Sequence, residues 1–137
     1  MKNFLAVGVF DLFHYGHLRL FKQIKKFMKK DDRLIVAIQK DKSVLKYKPN
    51  TRLFYNENER KELLLSIKDI DELIFYEDVN TIVKEVEFDV FCMGEDQNHK
   101  GFLEASRYCN AHNKEVIRLK RTQNISSTDI RNFLNTI

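Results

Sequence analysis

Gly8-Val9-Phe10-Asp11-Leu12-Phe13-His14-Tyr15-Gly16-His17 is the stretch on which the fold turns. Before it, Phe4-Leu5-Ala6-Val7 is an apolar run that predicts a buried first strand. After it, Leu18, Leu20, Phe21, Ile24, Phe27 and Met28 recur at helical spacing, which predicts a helix from about His17. A strand that turns through glycines into a helix gathers backbone N–H groups and the positive helix end at one point, which suits a phosphate. His14 and His17 add donors able to carry positive charge. Gly16 lets the backbone and both rings crowd around a ligand with no Cβ in the way.

Working outward, Leu34-Ile35-Val36-Ala37-Ile38 is a continuous apolar run between polar flanks, a second buried strand. Residues 41–58 are polar and carry the only proline, so they are expected to form a loop. A helix is expected from about Asn58 through Ile67, a strand at Leu73–Tyr76, a helix at about Val79–Val86 and a strand at Phe88–Met93. A helix over Phe102–His112, a strand at Glu115–Leu119 and a final helix capped by Ser127 or Thr128 complete the pattern. Strands alternating with helices predict an α/β, Rossmann-like, doubly wound parallel sheet of five strands in one domain, residues 1–137. Ligands of such sheets bind beyond the carboxyl ends of the strands, where the strand order switches. The stretches after the first, fourth and fifth strands are therefore expected to meet.

The composition is that of a soluble globular chain, 43% hydrophobic and 32% charged. A net charge of +4 suits an anionic ligand, and without a long basic block it does not call for nucleic acid. No apolar run is long enough to span a bilayer and no signal pattern opens the chain, so a cytoplasmic protein without membrane partners is expected. Cys92 and Cys109 give no disulfide framework. Cys109 and His112 have a ligand-like separation, but Cys92 ends a buried strand and no second tight pair exists, so no metal site of the protein's own is expected. The glycines, Gly8, Gly16, Gly94 and Gly101, form no GxGxxG, which argues against a redox Rossmann protein.

The stretch from Phe10 to His17 resembles the HxGH signature of the nucleotidyltransferase superfamily, in the longer form found in its cytidylyltransferase branch. Arg121-Thr122-Gln123-Asn124-Ile125-Ser126-Ser127-Thr128 resembles the RTxGIST signature of the same branch, with Asn124 where glycine is usual. Asn is the residue that best replaces glycine at positive φ. Asn56-Glu57-Asn58-Glu59-Arg60 and Ile70-Asp71-Glu72-Leu73 resemble two further segments of cytidylyltransferases, with Lys68 where arginine is common.

The resemblance implies transfer of a cytidylyl group from CTP to a small phospho-alcohol, with release of pyrophosphate. The chain's length is similar to that of bacterial glycerol-3-phosphate cytidylyltransferases, which favours glycerol 3-phosphate as acceptor. The resemblance implies catalytic roles for His14, His17, Lys46 and Arg121, with Lys46 and Lys48 also reaching the acceptor from a mobile loop. Nucleotide contacts are implied for Gly8, Val9, Phe10, Asp11, Gly16, Arg60, Asp71, Gly94, Asp96, Thr122, Ile125, Ser126, Ser127 and Thr128. Asp11 is further expected to orient a histidine or help hold a metal. Mg²⁺ is expected, held mainly by the substrate, and a homodimer is implied. Two alternatives stand beside this reading: an ATP-dependent adenylyltransferase acting on an acceptor such as a sugar phosphate, and a non-catalytic nucleotide-binding module.

Overall fold

A computed structural model describes residues 1–137. Five parallel strands, β1 (Asn3–Gly8), β2 (Arg33–Gln39), β3 (Glu72–Tyr76), β4 (Val90–Gly94) and β5 (Glu115–Leu119), form one sheet in the order β3-β2-β1-β4-β5. Six helices accompany them: α1 (Tyr15–Phe27), α2 (Asp41–Tyr47), α3 (Glu57–Leu65), α4 (Val79–Glu85), α5 (Lys100–Ala111) and α6 (Ser127–Leu134). The chain moves outward from β1 to β3, then returns to lay β4 on the other side of β1. That reversal opens a crevice between β1 and β4 at their carboxyl ends, the place where a doubly wound sheet receives ligands.

Alternate residues of each strand feed two apolar layers, because successive side chains point to opposite faces. Phe4, Ala6, Leu34, Val36, Ile38, Val90 and Cys92 pack with Phe21 and Ile24 of α1 and Leu64 of α3. Leu5, Ile35, Ala37, Phe91 and Met93 pack on the other face with Val79, Ile82 and Val83 of α4 and Phe102, Ala105 and Cys109 of α5. Cys92 and Cys109 thus lie in different layers, on opposite faces of the sheet. No helix is long and apolar enough to cross a membrane.

The expected strands and their order of alternation with helices are present, with boundaries shifted by at most two residues. One helix was not expected. α2 occupies the start of the polar stretch at 41–58; at seven residues it is too short to show a helical period, and isolated helices of that length are unstable. It is held from outside. Asp41 N–H donates to Glu57 Oε1 at 2.8 Å and Glu57 N–H donates to Asp41 Oδ2 at 3.1 Å, which ties the starts of α2 and α3 together, while Val44 is buried beneath. α3 carries a reciprocal cap. Glu59 N–H donates to Asn56 Oδ1 at 2.9 Å and Asn56 N–H to Glu59 Oε1 at 3.0 Å.

Candidate active site

A two-lobed cleft lies over the carboxyl edge of the sheet. The first lobe, about 600 Å³, lies between the turn after β1, the ends of β4 and β5, and the start of α6. The second, about 700 Å³, lies over the ends of β1, β2 and β3, with Val44 and Tyr47 of α2 on its wall. Gly8, Val9, Val44, Lys48, Gln97 and Phe102 border both.

His14 and His17 stand at the start of α1, one turn apart, with rings stacked at 3.7 Å and 18° between planes. His14 is the cap of the helix: its Nδ1 accepts from Gly16 N–H at 3.0 Å, and His17 Nδ1 accepts from His14 N–H at 3.2 Å. A ring nitrogen that accepts carries no proton, so each neutral imidazole bears its proton on Nε2. A Cβ on Gly16 would approach His14 Cε1 to 2.8 Å, so glycine is required there by close packing. Burial, and then the Arg121 charge, hold the His14 pKa below its usual range. Burial, and then His14, hold His17 down to about 3, against the opposing pull of Asp11. The histidines, read from the sequence as donors able to carry positive charge, are thus held towards the neutral form, and His17 in the free protein at neutral pH is a neutral N–H donor.

The turn from β1 into α1 is not made by glycines. Phe10 and Leu12 take the left-handed conformation, at φ 57° and 50°, which costs roughly 1–2 kcal/mol per non-glycine residue. Three segments hold them there. Phe10 is buried against Phe21 and His17, at ring distances of 5.5 and 5.2 Å. Asp11, only 6% exposed, accepts from Phe54 N–H and Tyr55 N–H, both at 3.1 Å, and pairs with Arg131 at 3.0 Å. Ser127 Oγ donates to the Asp11 carbonyl at 3.0 Å. The Asp11 carboxylate is thus committed to fixing the turn, and it hydrogen-bonds neither histidine. Arg131, on the cleft wall, was not singled out from the sequence; its lone signal was a position one helical turn beyond Ser127.

Opposite the histidines, Arg121, Thr122, Ile125, Ser126, Ser127 and Thr128 line the first lobe. Asn124 stands at φ 60°, the conformation for which Asn substitutes for glycine. The cap of α6 is Ser126, one residue earlier than expected: its Oγ accepts from Asp129 N–H at 3.0 Å. Arg121 pairs with Asp96 at 3.2 Å, with both side chains half exposed, so the guanidinium is free to exchange its partner for a phosphate. Gly8, Val9, Gly94 and Lys48 complete the lobe's border.

Three expected site residues lie elsewhere. The Arg60 side chain is fully buried; it donates to the carbonyls of Val9 and Gln39, both at 2.8 Å, and pairs with Asp41. It clamps the ends of β1 and β2 to the start of α2, so its guanidinium is corrected from a phosphate ligand to a support of the cleft floor. Asp71 accepts from Leu34 N–H at 2.7 Å at the amino end of β2, the edge away from the cleft, and so is removed from the nucleotide contacts. Lys46 borders neither lobe; its ammonium lies 5.4 Å from the Tyr47 ring centroid, and a catalytic role does not fit that direction.

A family model described as Cytidylyltransferase-like matches residues 5–133. The chain belongs to the cytidylyltransferase-like family. It is a nucleotidyltransferase of that type. A glycerol-3-phosphate cytidylyltransferase of Staphylococcus aureus is 34% identical, over 98% of this chain and 96% of its own length. An FAD synthase of Picrophilus torridus is 32% identical, over 93% of this chain and 91% of its own. Among solved structures, the lipopolysaccharide core biosynthesis protein of Thermoplasma volcanium superposes with a TM-score of 0.70 at 27% identity, covering 89% of this chain and 97% of that one. All three are similar over nearly the whole cytidylyltransferase-like domain, so the cleft lies inside the shared region.

Proposed function

We propose that this nucleotidyltransferase moves a cytidylyl group from CTP to a phosphorylated alcohol, with glycerol 3-phosphate the first acceptor to test. The observation that carries the proposal is the stacked histidine pair at the start of α1, facing the start of α6 across one lobe. An oxygen of the acceptor phosphate attacks the α-phosphorus of CTP; that P–O bond forms as the bond to the β-phosphate oxygen breaks, and pyrophosphate leaves. No covalent enzyme intermediate is needed, only position and opposite charge. The Nε2–H groups of His14 and His17 donate to the α-phosphate, where charge crowds in the transition state. Arg121, the Thr128 hydroxyl and the free N–H groups at the start of α6 hold the departing pyrophosphate. Lys48, on the border of both lobes, serves the two phosphates that meet there.

Mg²⁺, when bound with the nucleotide, would supply neutralisation of the triphosphate charge. The Asp11 carboxylate is committed to Phe54, Tyr55 and Arg131, so an ion that arrives with the nucleotide would be held mainly by phosphate oxygens and water. The resemblance also implies a homodimer, which sedimentation velocity would read directly.

The test is pyrophosphate release with Mg²⁺ and glycerol 3-phosphate, with CTP and ATP compared. The expected result is release with CTP. Release with ATP alone would move the enzyme to adenylyl transfer, the second reading, which the similarity to FAD synthases favours. CTP binding in calorimetry without any turnover would make the chain a nucleotide-binding module.

A further inference from the structure

His17 packs against three rings: His14 at 3.7 Å between centroids, Phe10 edge-on at 5.2 Å, and Phe13 at 5.6 Å with 30° between planes. Two of them have other roles. His14 caps α1, and Phe10, 6% exposed, belongs to an apolar layer of the core. Phe13 borders neither lobe, so it reaches no ligand there. It stands just before the cap, where an apolar side chain fixes how the chain enters a helix. The left-handed Leu12 precedes it, and its ring lies back along α1, at 6.4 Å and 13° from the ring of Phe21. The strained turn thus sets an apolar ring beside the imidazole.

That cover matters because of the state His17 must keep. Its Nδ1 accepts from His14 N–H, which only an unprotonated nitrogen does, and this single bond leaves the broad terminal torsion of the ring loosely held. Water at the imidazole favours the charged ring, in which both nitrogens donate and that bond is lost. Of the charged groups around the pair, Asp11 in the turn favours a charged His17, His14 on the same helix opposes it, and Arg121 after β5 acts on His14. Phe10, Phe13 and Phe21 bring no charge and exclude water.

Resting on the transfer reaction above, we propose that Phe13 is a positioning residue for His17: its ring shields the imidazole and keeps the Nε2–H directed at the reacting phosphate. Phe13 touches no reacting atom and acts through His17.

The test is NMR titration of the histidine ring Cε1–H signals, with pyrophosphate release from CTP and glycerol 3-phosphate, for the wild type, Phe13→Ala and Phe13→Tyr, with thermal melts of each. From about pH 8 to about pH 5 the wild-type His17 signal is expected to remain that of a neutral ring. In Phe13→Ala it is expected to titrate within that window, while kcat falls about tenfold and KM for CTP changes less than about threefold. Phe13→Tyr, which keeps the ring, is expected to retain the wild-type titration and kcat. Should Phe13→Ala not fold, Phe13→Leu takes its place, with the same changes expected at smaller size. A His17 that stays neutral to about pH 5 without the ring, a change in KM without one in kcat, or equal losses in Phe13→Ala and Phe13→Tyr would overturn the proposal and leave the transfer reaction standing. No release by the wild type with CTP or ATP would overturn both.

Discussion

Two helices present their starts to the same lobe, and they are built differently. α1 is anchored: Phe21 and Ile24 are fully buried in one apolar layer, and its cap is made by the two histidines themselves. α6 buries none of its residues, and Phe133 and Leu134 are 66% and 53% exposed. It is fastened by polar contacts, chiefly Ser127 to the Asp11 carbonyl and Arg131 to the Asp11 carboxylate. The rigid side carries the groups proposed for the reacting phosphorus, where a small displacement is costly. The lightly attached side carries those proposed for the leaving group, which must be gripped and then released.

The largest effect that tests this contrast is His17→Ala. A contact made mainly in the transition state predicts a loss of about 10²–10³ in kcat with CTP affinity changed by less than about tenfold. Steady-state kinetics with calorimetry would check it, and a near-normal rate would remove His17 from the chemistry. Asp11→Ala comes next. It strands two backbone N–H groups and Arg131 and frees the left-handed turn, so a loss of about 3 kcal/mol and a lower melting temperature are expected. A melting curve within 2 °C of wild type, on the scale of about 2–8 °C per kcal/mol, would show that α6 is held by something else.

Acid should act on the anchored side. The His17 pKa is depressed to about 3 in the folded chain, against an ordinary value of 6.5, so the unfolded chain binds the proton more readily. The stability gained from a neutral His17 is full above pH 6.5 and is lost as pH falls from 6.5 towards 3. Urea unfolding between pH 7.5 and 5 should show a decline that His17→Asn reduces; identical slopes would refute the buried neutral ring. The smallest expected effect is Ser126→Ala, which removes the α6 cap at about 1 kcal/mol. Hydrogen exchange should then rise in 127–134 and leave α1 unchanged. A rise in both would mean that the two helices open together.

Much of this could be read from the chain. The apolar runs at 4–7, 34–38 and 90–93 are continuous because inner parallel strands are buried on both faces, and such runs are the strongest strand signal available. The histidines and the Arg121–Thr128 segment stood out for a local reason: they flank helix starts, and helix starts have sequence signatures. Arg60, Asp71 and Lys46 were misplaced because the residue type states what a side chain is able to do, and only the fold states which way it faces. An arginine directly after a capping box has the same letters whether it meets solvent, a phosphate or two strand-end carbonyls. Phe10 and Leu12 at positive φ were illegible for a different reason. Their conformation is imposed by Asp11, whose partners lie 43, 44 and 120 residues away.

Those separations bear on when the site comes into being. The contacts that lock the turn after β1 to α6 span 116 and 120 of the 137 residues. Long-range closures form late, since the intervening loop must first be collapsed by the sheet, and a chain emerging from the ribosome delivers its last helix last. The first motif is synthesised within the first 17 residues, yet it waits for nearly the whole chain before its strained turn is secured. A nascent chain can therefore hold a formed sheet while its cleft is still unassembled, and the wall that α6 gives the cleft is set only once Ser127 and Arg131 have met Asp11.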